Sequence, residues 1–250
     1  MPWGMPSAGP RLRPQKRGTG RSGYPRPVRH GAKIAQPVPP RGLVIGASVW
    51  IAVSWLALMG PTPPLQPTSL SYTPAIRMMV QSMLALTVVA WPLVRLSSAT
   101  RPRPVLSALL DTIAIAVFWQ IVLWPMRLVT TWPIGRLAAI DAEAIASCLL
   151  VGGMIAWSGA TARGRTGAMV ALLSWSIVVP ALAAGRGLPL ALLDGPFVRT
   201  WVEASRGPGP LVADVWWPAA ITAGIAVVIW TVAATRGTPR AGDSPGTSLS

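Results

Sequence analysis

A chain of 250 residues that is 52% hydrophobic and only 12% charged, with a mean hydropathy of +0.50, is more apolar than a soluble globular domain of its size. Its one histidine, His30, lies in a polar leader, which excludes a histidine-bound zinc or haem site and a Ser-His-Asp triad in the apolar region. Its one cysteine, Cys148, excludes an intrachain disulfide.

Residues 1–42 hold nine prolines, seven glycines and the basic residues Arg11, Arg13, Lys16, Arg17, Arg21, Arg26, Arg29, Lys33 and Arg41, without one acid. Such a segment cannot bury a core and is expected to be a disordered basic leader. Its charge suits anionic lipid heads, but only Trp3 and Tyr24 could stack on bases, so nucleic acid is not an expected partner. It is also too long, and the following apolar run too extended, for a cleaved signal peptide.

Six apolar blocks follow, each about as long as a helix needs to cross a hydrocarbon core roughly 30 Å thick. They cover about 43–59, 74–94, 105–124, 137–157, 168–184 and 217–235. None alternates with the period of a barrel strand, and helices satisfy their backbone groups internally, as lipid requires. The fold class is therefore all-α, a polytopic integral membrane protein whose bilayer-spanning domain, 43–235, is a bundle of six transmembrane helices. Residues 236–250 read as a disordered cytoplasmic tail.

Charge gives the orientation. The leader, the second loop (Arg95, Arg101, Arg103), the fourth loop (Arg163, Arg165) and the tail (Arg236, Arg240) are basic, and the first loop has no charge. The other side receives Arg77, Arg127, Arg136, Arg186, Arg199 and Arg206. The positive-inside rule then puts both termini in the cytoplasm, and the localisation is the cell membrane, multi-pass.

Three acids fall inside the blocks, where charge is costly. Asp111, six residues into the third block, is expected to pair with Arg101 or Arg103 at the membrane surface. Asp141 and Glu143 open the fourth block about 200° apart around a helix. Ala144, Cys148, Gly152 and Ala156 form a small-residue stripe that lets a neighbouring helix approach, and Asp141 is expected on that stripe with Arg127 or Arg136 as its partner. Glu143 is expected to align with Arg136 as an interfacial ion pair.

Pro180 predicts a kink in the fifth block. In the longest loop, DGPFVRTWVEASRGPG predicts a short helix over about 196–206, with Phe197, Val198, Trp201 and Val202 on one side and Arg199, Glu203 and Arg206 on the other, as suits a helix flat on the outer surface. Four Trp-Pro pairs, at Trp91, Trp124, Trp132 and Trp217, read as interfacial anchors at span ends.

No phosphate-binding loop and no G-x-S-x-G is present, and Asp111 and Asp141 are expected near opposite faces, too far apart for a catalytic pair. An enzyme is thus not expected, nor a metal or cofactor. The sequence instead suggests a permease-like membrane subunit of a multi-component transport system, with the lipid bilayer and a separate ATPase or other membrane subunit as partners; the alternative is a non-transporting scaffold or accessory protein.

Overall fold

Six long apolar helices and one short one make up a computed structural model that describes residues 41–59, 69–98, 103–159, 161–185, 194–206 and 213–237. All of them belong to the unit Val38–Ser250. The leader, apart from Arg41 and Gly42, and the tail beyond Gly237 lie outside the described residues. So does Arg101.

Helix α1 covers Arg41–Met59 and starts two residues before its apolar block. Helix α2 is continuous through Ser69–Ala85, a π-helical turn Leu86–Ala90, and Trp91–Ser97. Helix α3 covers Pro104–Met126, α4 Ile134–Ser158, and α5 runs through Ala162–Leu173, a π-helical turn Ser174–Val178, and Val179–Gly185. The short α6 is Pro196–Ser205 and α7 is Trp216–Gly237. Six of these are long and apolar enough to cross a membrane, and the described residues contain no strand.

The two π-turns share one cause. Pro92 and Pro180 have no N–H, and each ring crowds the carbonyl four residues earlier. Widening the preceding turn relieves the crowding. In α2 the Trp91 N–H then bonds to the Leu86 carbonyl, and in α5 the Val179 N–H bonds to the Ser174 carbonyl. The kink expected at Pro180 thus takes the form of a local change of helix type, and Pro92, read from sequence as a span end, lies inside a continuing helix. Trp132-Pro133 does mark a start, since extended Pro133 caps α4. Gly159, with φ of +65°, ends it.

Helix α4 is the central element, buried along most of its length by α3, α6 and α7. The expected stripe Ala144, Cys148, Gly152 and Ala156 is buried throughout. A Cβ on Gly152 would overlap the Thr112 Oγ1 of α3 and lie 3.0 Å from the Trp230 ring of α7, so only glycine lets the three helices meet there. Ala156 packs with Ala108 of α3 and Ala233 of α7. The Trp230 indole N–H donates to the Leu149 carbonyl at 2.9 Å, which fixes α7 along α4.

At the other extreme, α1 buries only Ala47 and is tied to α2 by polar groups. The Trp50 indole donates to Ser82 Oγ at 2.9 Å, and the Ser54 and Ser82 hydroxyls lie 2.6 Å apart.

Candidate functional site

Three polar centres interrupt the apolar bundle. The first sits near the α2–α3 turn, where the Arg95 Nε donates to Asp111 Oδ2. Asp111 is 1% exposed, and the pair is enclosed. Its partner is Arg95 of α2 in place of the expected Arg101 or Arg103; Arg103 is exposed just before α3. Arg95 reaches Asp111 from the helical segment Trp91–Ser97 that continues α2 beyond the π-turn.

The second centre holds α6. Arg199 Nη1 donates to Glu143 Oε1 of α4 at 3.1 Å and to Thr222 Oγ1 of α7 at 3.4 Å. Gln81 of α2 donates to Thr200 Oγ1 at 3.0 Å. The last carbonyls of a helix have no partner inside it and carry partial negative charge, which calls for cations. Arg77 of α2 supplies one, its Nε donating to the Ala204 carbonyl at 2.8 Å, and Arg136 of α4 another, its Nη1 donating to the Arg206 carbonyl at 2.7 Å.

This arrangement turns α6 over relative to the surface helix read from its amphipathicity. Arg199 and Glu203 face into the bundle, whereas Val198, Trp201 and Val202 are exposed. Phe197 packs against the core. The physical reason is at Gly195: a Cβ there would lie 2.8 Å from the Ser176 carbonyl and 2.9 Å from the Trp175 carbonyl, so α6 starts in close contact with the π-turn of α5. Glu143 is accordingly 5% exposed and pairs with Arg199, not with Arg136 at an interface.

The third centre is Asp141. Gln120 Nε2 of α3 donates to its Oδ1 at 2.7 Å, and the Trp124 indole donates to Gln120 Oε1 at 2.7 Å. Asp141 is partly exposed, at the rim of the buried stripe, and makes no ion pair among the described residues. Neither expected arginine reaches it: Arg127 is exposed at the end of α3, and Arg136 points to α6.

The four tryptophans divide. Trp124 and Trp217 are exposed close to helix ends, as anchors would be, but Trp91 and Trp132 are buried in the core. Arg77, Arg95 and Arg199 carry the polar centres yet read as loop charges in the sequence. Their one sequence signal was proximity to Pro92 or to a predicted helix end. Among the described residues, no group of His, Cys, Asp and Glu could hold a metal ion. Comparison with protein-family models, characterised proteins and solved structures finds no match to this chain.

Proposed function

We propose that this chain is a multi-pass protein of the cell membrane with both termini in the cytoplasm, acting as the permease-like membrane subunit of a transport system whose ATPase is a separate chain. The observation that carries this reading is inverted polarity. Arg136 is 2% exposed and Asp111 1%, while Ile45, Ile121, Val227 and Val228 are all above 60% exposed. In water such a surface would associate, whereas in lipid the outside is matched and the charges are sheltered in pairs. Arg95, Arg165 and Arg236 would lie at the cytoplasmic end, in keeping with positive-inside orientation.

Transport is supported by the α5–α6 joint. A broken span whose π-turn abuts a short helix, itself held by charged and amide side chains from two spans, has the parts of a gate. The accessory reading is favoured by a different fact: Asp111 and Glu143 both find arginines within the chain, so neither needs a substrate.

The test is purification of the tagged full chain from native membranes. We expect an ATP-hydrolysing subunit at fixed ratio, and a several-fold slower ATP turnover in Glu143→Gln with assembly retained. A chain that elutes without an ATPase sinks the transport reading; an assembled Glu143→Gln complex that turns over normally leaves the accessory role.

A further inference from the structure

The third polar centre points outward, and its surroundings fit a helix that this chain does not supply. Asp141 lies seven residues into α4, about 10 Å from the helix start. Of the three acids within the spans, Asp111 and Glu143 each hold an arginine. Asp141 holds only an amide and, through it, an indole. A partly exposed carboxylate at that depth calls for a counter-charge, and none comes from the described residues.

The shape beside it is equally specific. Helix α7 crosses α4. Near the α3–α4 turn it lies on the Glu143 side, where Thr222 accepts from Arg199; near the α4–α5 turn it lies over Gly153, and Ala233 packs with Ala156. The α4 face that α3 and α7 close at Gly152 and Ala156 is therefore only partly covered about two to five turns earlier. Gly135, Ala138, Ala142 and Ile145 lie there, all partly exposed, with Asp141 at the α3 edge. This is the continuation of the same small-residue face that takes α7 in its other half, and small residues allow close backbone approach.

We propose that this half of the α4 face receives a transmembrane helix of a partner protein, and that a lysine or arginine within that helix pairs with Asp141. Charge complementarity selects a partner over a second copy. Among the described residues, Arg77, Arg95, Arg136 and Arg199 are engaged within the chain, and Arg127 sits at the end of its span. The inference rests on the reading of the chain as one subunit of a membrane complex.

The experiment places a photo-reactive benzoylphenylalanine at Ile145 in the full chain in its native membranes, with the same probe at outward-facing Val228 as control. Expected is an adduct of one defined partner at 145 and none at 228, with the cross-linked peptide bearing a Lys or Arg inside an apolar run. Asp141→Asn should lower the yield at least tenfold, and Asp141→Lys should abolish it. Reversing the mapped partner cation to Asp should restore the Asp141→Lys adduct, which separates lost pairing from lost folding. An adduct to lipid alone, to a second copy, or to a partner helix without a cation overturns the proposal, as does a yield that Asp141→Asn leaves unchanged. If the adduct fails while an ATPase still co-purifies, only the docking inference falls. If the adducted partner belongs to no ATPase complex, docking stands and the transport reading falls.

Discussion

Asp111 and Gly152 show how single residues set the bundle. Removing one member of an enclosed ion pair leaves the other charge uncompensated, which costs about 3 kcal/mol in soluble proteins. Asp111→Ala should therefore lower the thermal unfolding midpoint of the detergent-purified chain by several degrees, and Arg95→Leu combined with Asp111→Leu should recover most of the loss. A double variant as weak as the single would refute this account. Gly152→Ala tests packing instead. Its methyl would overlap Thr112 Oγ1, which is itself fixed by donating to the Ala108 carbonyl at 2.8 Å, so a loss of about 1 to 3 kcal/mol is expected. Adding Thr112→Ala should relieve part of it, and strict additivity of the two losses would speak against direct contact.

Helix α6 is the element on which sequence and structure part most. Its existence and near-correct bounds were legible from Pro196, the capping position and the amphipathic pattern. Its orientation was not, because amphipathicity states that two faces differ and not which solvent each one meets. Here Val198, Trp201 and Val202 turn out while Arg199 and Glu203 turn in. The same ambiguity affected α4, where helical spacing put Asp141 and Glu143 on opposite sides but could not say which side α6 would cover. Tryptophan is also two-faced: the indole N–H of Trp119 donates to Thr87 Oγ1 at 3.0 Å deep in the core, so a Trp near a span end is no proof of an interface. Gly195 gives the corresponding experiment. Gly195→Ala puts a methyl against two backbone carbonyls of α5 that cannot rotate away. It should raise hydrogen exchange across residues 196–205 while leaving α3 and α4 protected; unchanged exchange in α6 would mean the joint is not tight.

For the whole molecule, six helices long and apolar enough to cross a membrane were legible because hydrophobic length is a property of the sequence alone. Which of them lie at the centre was not: α1 and α4 are similarly apolar, but α1 is nearly all periphery and α4 mostly core. Gly152, Gly153 and Ala156 meet α3 and α7 at close range, whereas Gly46 of α1 has open space around it, so a small residue marks the centre only where a neighbour is placed to use it. Topology is open to direct measurement because Cys148 is fully buried and should be silent to impermeant maleimides. Leu128→Cys, in the turn between α3 and α4 where the side chain is exposed, should label from outside intact cells; Ser98→Cys, at the exposed end of α2, should label only after lysis. Labelling of both from one side would rule out the proposed orientation.

The turn before Pro92 has a consequence for how such a chain can change. A π-turn is in effect one residue inserted into an α-helix, and every side chain beyond it is rotated by about 100°. Arg95 meets Asp111 only after that rotation. Deleting Val89 together with Pro92→Ala, which removes the crowding ring, would leave a regular helix of nearly the same length and hydropathy, yet aim Arg95 away from α3. A comparison of related chains by hydropathy would not notice the deletion, and a gap in the alignment at residues 86–90 would mark the members in which this ion pair has been lost.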